Sequence, residues 1–206
     1  SDTMDYLKNL NEEQYKAVTH LEGPCLVLAG AGSGKTRVLT TRIAYLIDQG
    51  IPSYNILAIT FTNKAAKEMK ERLESLVPDN KAFVGTFHSL GVRIIRENCT
   101  LCNLTSTFTI LDSDDVLSLI KRIMKNKGID PKMLAPSYVR NRISFIKNEN
   151  LSPREITNLF NTAMEQQVLN IYETYEELIH KNNSVDFDDL LVLPVKLFQE
   201  HHEILD

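Results

Sequence analysis

Residues 25–36, CLVLAGAGSGKT, join an apolar run to a glycine-rich turn that ends in lysine and threonine. A short continuous apolar run such as 25–29 is typical of a buried strand in a parallel sheet. The glycines allow the backbone to curl so that successive N–H groups converge on an anion, and a following helix adds the positive end of its dipole. This order of strand, turn and helix predicts a phosphate-binding loop in an α/β fold.

The loop predicts a site for a nucleoside triphosphate and magnesium. Lys35 can reach the β- and γ-phosphates, and the hydroxyl of Thr36 can ligate Mg²⁺. The loop residues are Ala29, Gly30, Ala31, Gly32, Ser33, Gly34, Lys35 and Thr36, with Ala29 standing where the strict motif has glycine. The loop alone leaves the reaction open. A GTPase would carry Asn-Lys-x-Asp, and residues 62–66, TNKAA, lack that aspartate, whereas a small-molecule kinase stays possible.

The first half of the chain alternates predicted strands and helices. After the first strand we expect strands at 56–60 and 82–86, with helices at 64–76 and from 87 to about 98. Strands that alternate with helices predict a parallel sheet, because each crossover returns over one face. We expect a last strand at 108–111, and residues 112–183 show only helical periodicity. The sequence therefore predicts an α/β core interrupted by an all-helical insert.

Acidic residues that could support hydrolysis have a competing structural explanation. Asp112, at the end of the run 108–111, is the best candidate for a magnesium-binding acid, but its spacing to Asp115 favours a helix cap. Asp186, Asp188 and Asp189 are likewise interpreted as cap and packing residues. The sequence shows no convincing second ATPase motif.

Composition bounds the remaining possibilities. The chain has 206 residues, of which 43% are hydrophobic and 24% charged, with a net charge of −4; this is typical of a globular protein. There is no signal-like or membrane-spanning apolar run, and three cysteines argue against a disulfide framework, so we expect a reducing cytoplasm. Cys99 and Cys102 have a redox or half-zinc spacing, but a closed zinc site needs four ligands.

The segment 121–154 holds nine bases and two acids. Such a local excess could contact phosphate groups, or it could be a set of solvated helix faces.

Five ordered segments together resemble the N-terminal part of the superfamily 1A DNA helicases of the UvrD/Rep/PcrA type. Residues 10–14, LNEEQ, look like the Q motif of that family, and 28–37 look like motif I. Residues 58–66, AITFTNKAA, are similar to motif Ia, and 85–89, GTFHS, to motif Ib. Residues 185–191, VDFDDLL, resemble the segment that re-enters the core after a helical insert.

The resemblance implies residue roles. Gln14 would read the edge of adenine, and Arg37 would stack its guanidinium on the base. Single-stranded DNA would be contacted through stacking and phosphate hydrogen bonds by Phe61, Thr62, Asn63 and His88. Lys35 and Thr36 would be the catalytic residues supplied by the loop, with ATP and Mg²⁺ as the ligands.

The resemblance also implies an organisation and an activity. Residues 1–111 and 185–206 would form part of a RecA-like ATP-binding subdomain, 1A, and 112–184 a helical subdomain, 1B. The activity would be ATP-dependent movement on single-stranded DNA and duplex unwinding, with single-stranded DNA, single/double-strand junctions and a second RecA-like domain as partners. Because the Asp-Glu motif of the family would follow Asp206, we expect a fragment with little hydrolysis of its own. A nucleotide-dependent DNA-binding module without turnover and a P-loop kinase are the alternatives.

Overall fold

The computed structural model describes residues 25–28 and 33–201, which form eight α-helices, two short 3₁₀ helices and two small parallel sheets. They divide into two compact units. The first unit consists of two segments of the chain, one up to Ile94 and one from Pro194 onward. The second unit runs from Ile95 to Leu193. The α/β class predicted from the sequence is confirmed, whereas the subdomain boundaries at 111/112 and 184/185 stay a prediction.

A three-stranded parallel sheet lies in the first unit, with strand order β1-β2-β3. The strands are Cys25–Leu28, Ile56–Thr60 and Phe83–Thr86. Leu28 pairs with Ile59, and Thr60 pairs with Thr86, so the carboxyl ends of all three strands share one edge. All five residues of β2 are buried, and the first four are apolar, as expected for a strand inside a parallel sheet.

Three helices follow these strands: α1 is Ser33–Asp48, α2 is Asn63–Leu76 and α3 is Phe87–Glu97. Helix α2 begins where the Thr62 hydroxyl accepts a hydrogen bond from the Ala65 N–H at 3.1 Å. Its buried positions recur every three or four residues, as an amphipathic helix requires. The centre of the core contributed by α1, α2 and β2 consists of Ile43, Ile56, Ala58, Met69 and Leu73.

The second unit is mainly helical. Its helices are α4 Ser113–Asn126, α5 Pro136–Glu149, α6 Pro153–Leu159 and α7 Ala163–Lys181, and the division between the units falls within the last helix, α8 Phe187–Glu200. Two short parallel strands pair beside them: β4 Thr109–Ile110 and β5 Ser184–Val185. The run 108–111 was predicted as a strand and contains β4, but β5 was not predicted.

Helix starts in the second unit follow the capping signals of the sequence. Asp112 and Asp115 form a reciprocal capping box at α4, in which each carboxylate accepts the backbone N–H of the other. Ser152 and Glu155 do the same at α6. Gly128, just after α4, has a φ of +71°, a conformation that favours glycine. The cap interpretation of Asp112 is confirmed.

The core of the second unit lies between α4, α5 and α7. Tyr175 and Ile179 on α7 are fully buried, and Tyr172 and Leu178 pack against them. Within the described part of the chain, no helix has the length and apolar character needed to cross a membrane.

Candidate functional site

The predicted phosphate loop follows β1 at the carboxyl edge of the three-stranded sheet. Strand β1 ends at Leu28 and α1 begins at Ser33. Ser33, Gly34 and Lys35 occupy the first turn of α1, where backbone N–H groups have no partner within the helix and can bind an anion. Gln14 and the turn residues Ala29, Gly30, Ala31 and Gly32 lie outside the described residues.

Thr36 and Arg37 differ in exposure. Thr36 is 4% exposed and its carbonyl accepts a hydrogen bond from the Thr40 hydroxyl at 2.9 Å, whereas Arg37 is exposed. The first turn of α1 therefore combines a helix N-terminus behind a strand with a hydroxyl side chain held inside the fold. This donor set fits a triphosphate and its magnesium ion.

The residues after β2 form a second group at the same edge. Phe61 is 49% exposed, and Thr62 and Asn63 are exposed beside it. The ring of Phe61 contacts that of Phe87 edge to face, with centroids 5.9 Å apart and planes inclined at 67°. Phe87 begins α3 and is followed by the exposed His88. The structure thus brings Phe61, Thr62, Asn63 and His88 together on neighbouring strand ends.

A hydrogen-bond pair fixes the turn from β3 into α3. The Ser89 hydroxyl oxygen accepts the Thr86 N–H at 2.7 Å, and the Thr86 hydroxyl oxygen accepts the Ser89 N–H at 3.1 Å. Gly85 leaves room for this arrangement, since a Cβ at that position would lie 2.4 Å from Ser89 Oγ. Sequence reasoning assigned only His88 in this segment and missed these supporting roles.

A buried ionic cluster occupies the second unit and was also missed. The side chain of Lys147 on α5 is 4% exposed, and its Nζ lies 2.7 Å from Glu176, 2.8 Å from Asp186 and 2.9 Å from Asp189. The Tyr175 hydroxyl donates to Asp186 at 2.6 Å. Lys147 therefore joins α5 to α7 and to the start of α8.

Asp186 and Asp189 also cap α8, because each side chain accepts the backbone N–H of the other, at 2.9 and 3.0 Å. The cap interpretation from the sequence is confirmed for these two residues. Within residues 25–28 and 33–201, His, Cys, Asp and Glu side chains form no group of three suited to a metal ion.

Charge and burial shift the pKa values in this cluster. Burial alone would lower the pKa of the Lys147 ammonium, but Asp189, Asp186 and Glu176 together raise it. Burial raises the pKa of Asp189, Lys147 opposes the rise, and the charges of Asp186 and Glu176 bring the value to about 6. For Asp186, the effect of Lys147 and of its hydrogen bonds outweighs burial and lowers the pKa.

Comparison with known proteins identifies the family. The family sequence model for the UvrD/REP helicase N-terminal domain matches residues 10–206. The chain belongs to this family. It is 44% identical to the ATP-dependent DNA helicase PcrA of Bacillus subtilis strain 168 over 211 aligned residues, which cover 98% of the chain and 29% of that protein. It is 45% identical to PcrA of Staphylococcus epidermidis strain ATCC 12228, covering 97% of the chain and 28% of that protein.

The chain thus spans somewhat less than a third of the length of these PcrA relatives. The resemblance inferred from the five motifs is confirmed at the level of the family. The roles assigned to individual residues, Gln14, Lys35, Thr36, Arg37, Phe61, Thr62, Asn63 and His88, stay predictions.

One expectation for this UvrD/REP-type domain needs correction. Lys147 was counted among nine bases of a possible phosphate-binding surface, but it is buried among carboxylates. Arg142 in the same segment lies over the Phe160 ring at 4.4 Å and pairs with Glu165 at 3.3 Å. Lys121, Arg122, Lys125, Lys127, Lys132 and Arg154 are exposed. The surface available to phosphate is therefore smaller than the sequence suggested.

Proposed function

We propose that this chain is the ATP-binding part of an ATP-dependent DNA helicase, in which ATP and single-stranded DNA bind along one edge of the parallel sheet. The observation that carries the proposal is the shared edge. The helix that would receive the phosphates follows β1, and the exposed Phe61 and His88 follow β2 and β3. Ligands bind at this edge in open α/β sheets.

The nucleotide side of the proposal rests on α1. Its first turn offers backbone N–H groups and Lys35 to the β- and γ-phosphates, and Thr36 would hold Mg²⁺ through its hydroxyl. A bound Mg²⁺ would neutralise phosphate charge. Gln14 and Arg37 would contact the adenine, as the family resemblance implies. The identity with helicases named ATP-dependent supports ATP as the nucleotide.

The DNA side rests on the groups after β2 and β3. A half-exposed aromatic ring provides a face on which a base can stack, whatever its sequence. The Phe61 ring contacts the Phe87 ring edge to face, and this contact would help to orient the platform for the base. Thr62, Asn63 and His88 supply hydrogen-bonding groups for the phosphate backbone.

The second unit would meet the duplex beside a single/double-strand junction through its exposed bases on and after α4. Lys121, Lys125 and Lys127 are all exposed there. In the whole protein, a second RecA-like domain would close on the nucleotide, and alternating grip on the strand would move it. This assignment would place the protein in the cytoplasm, with a role in DNA repair or replication.

We expect the 206-residue chain to bind ATP but to hydrolyse little of it. Hydrolysis requires an acid that positions the metal and the attacking water. In the three-stranded sheet, β2 and β3 both end in threonine. The acids considered from the sequence serve as helix caps, Asp112 at α4 and Asp186 at α8.

Binding of a fluorescent ATP analogue with Mg²⁺ tests the nucleotide site. Lys35→Ala removes the loop ammonium and should weaken binding by about tenfold or more, because hydrogen bonds to charged groups contribute about 1.5–3 kcal/mol. Lys67→Ala removes an exposed lysine from α2 and should leave the affinity unchanged. Equal affinities for the two variants would contradict the phosphate-loop assignment.

Steady-state ATP hydrolysis by the same proteins, with and without single-stranded DNA, tests the second expectation. Turnover should not exceed that of Lys35→Ala. DNA-stimulated turnover that Lys35→Ala abolishes would mean that an acid within these 206 residues completes the site. The assignment of Asp112 or of the Asp186–Asp189 pair as structural caps alone would then be wrong.

A further inference from the structure

We propose that Cys99 and Cys102 form a dithiol site that closes to a disulfide by exchange with a low-molecular-weight disulfide. The two residues begin and end a single 3₁₀ turn, Cys99–Cys102, which is separated from the end of α3 by Asn98 alone. Neither residue takes part in the ATP and DNA sites proposed above.

The backbone of the turn sets the two side chains in register. A 3₁₀ helix has three residues per turn, so side chains at i and i+3 eclipse each other, and three rises of about 2.0 Å separate their Cα atoms by about 6 Å. Disulfides form across Cα separations of roughly 4.4–6.8 Å. The Cα spacing expected for Cys99 and Cys102 therefore lies within the range in which disulfides form.

Hydrogen bonds hold this turn in place. The Asn103 N–H bonds to the carbonyls of Cys99 and Thr100, and Asn103 adopts the left-handed conformation with φ of 57°. The Leu104 N–H donates to the Cys99 carbonyl at 2.9 Å, and the Leu104 side chain is buried. Since the turn is fixed before oxidation, little further ordering is needed to bring the second thiol to the first.

The turn that carries the two cysteines is partly exposed to solvent. Both cysteines are partly exposed, and Thr100 and Leu101 between them are exposed as well. A glutathione-sized disulfide can therefore reach the turn from solvent.

The exchange balances without any further reactant. The thiolate of one cysteine attacks a sulfur of the external disulfide and releases the first small thiolate. The thiolate of the second cysteine then attacks the sulfur that belongs to the first cysteine, which forms the Cys99–Cys102 bond and expels the second small thiolate. The two cysteines lose two electrons to the external disulfide, and their two protons pass to the two small thiolates released.

Oxidised glutathione is the probe for the test. The native chain is incubated with it, and the remaining thiols are then blocked with an alkylating agent. The mass of the tryptic peptide 97–121, which contains both cysteines, is measured by mass spectrometry. We expect a peptide lighter by two hydrogens, without glutathione, that dithiothreitol returns to the dithiol. Cys99→Ser and Cys102→Ser should each instead retain one glutathione on this peptide.

A Cys25→Ser chain is the matched control, because it removes the third cysteine and should oxidise at 99 and 102 as before. Mapping of the unaltered chain gives the same information should that variant fold poorly. Stable glutathione adducts on the wild-type peptide, a disulfide that includes Cys25, or closure only after unfolding in urea would each overturn the proposal.

Discussion

Phe61 and Phe87 contact each other edge to face across the ends of two neighbouring strands, with ring centroids 5.9 Å apart. The pair links the segment after β2 to the start of α3, and Phe61 remains half-exposed. Edge-to-face pairs contribute about 0.5–1.5 kcal/mol beyond the area they bury. The contact with Phe87 therefore favours the observed orientation of the half-exposed Phe61 ring.

Replacing Phe87 with leucine should loosen this platform without removing it. Loss of the aromatic partner should weaken binding of single-stranded DNA by about two- to tenfold, in line with the 0.5–1.5 kcal/mol of such a pair. Fluorescence anisotropy with a labelled oligonucleotide measures the affinity. Binding of the ATP analogue should not change, and a loss of both activities together would point to unfolding instead.

Gly85→Ala should destabilise the chain by about 1–3 kcal/mol, the usual cost of overpacking. The added Cβ would lie 2.4 Å from Ser89 Oγ and 2.8 Å from Phe83 Cζ. The Phe83 ring end can shift, but Ser89 Oγ is tied to the Thr86 backbone. Urea unfolding measures the effect.

Ser89→Ala in the Gly85→Ala background separates these two contacts. It removes the oxygen with which the new Cβ collides, so the double variant should lose less than the sum of the single losses. Strictly additive losses would contradict the proposed collision.

Lys147→Ala should cost about 3–5 kcal/mol of unfolding free energy, because it leaves buried carboxylates without their cation. Glu176, Asp186 and Asp189 would face one another with no positive charge between them. Lys125→Ala, at an exposed position of α4, is the matched control and should change stability by less than about 0.5 kcal/mol. Similar losses for the two variants would show that the cluster contributes little.

The raised pKa of Asp189 should make the stability of the folded chain depend on pH. Its pKa in the folded chain is about 6, against an ordinary value of 3.8, so the folded chain binds this proton more tightly than the unfolded chain. The stabilisation is complete below the ordinary pKa and is lost as pH rises through the folded value.

Asp189→Asn provides the comparison, because asparagine retains an oxygen for the cap but does not titrate. Between about pH 4 and about pH 7.5, the unfolding free energy of wild type should fall by about 1–3 kcal/mol relative to the variant. Asp186, whose pKa is lowered, is present in both chains. A difference that stays constant or grows with pH would contradict the assignment.

Local signals predicted much of this structure because their causes lie within a few residues. The buried strand β2 and the cap formed by Asp112 and Asp115 depend on spacing along the chain. The burial of Lys147 could not be predicted from such local signals. It lies in the base-rich segment 121–154, but its partner Asp186 lies 39 positions further on. Only the folded chain therefore reveals that the lysine is buried.

The candidate site likewise has some features that the sequence predicted and others that only the structure shows. The motifs identified which strand ends carry Phe61 and His88, and parallel pairing places those ends side by side. The contact between Phe61 and Phe87 and the bracing of the turn by Ser89 depend on side-chain geometry, which residue spacing does not specify.

Binding of single-stranded DNA by Phe61→Ala tests the central claim most directly. Tyr54→Ala is the control, because Tyr54 is an aromatic residue of the same unit with 64% exposure. Stacking contributes about 1–3 kcal/mol per base, so Phe61→Ala should bind about five- to a hundredfold more weakly than wild type. Tyr54→Ala should match wild type, and binding by wild type should weaken as salt rises. Equal affinities for wild type, Phe61→Ala and Tyr54→Ala would contradict a DNA site at this edge of the sheet.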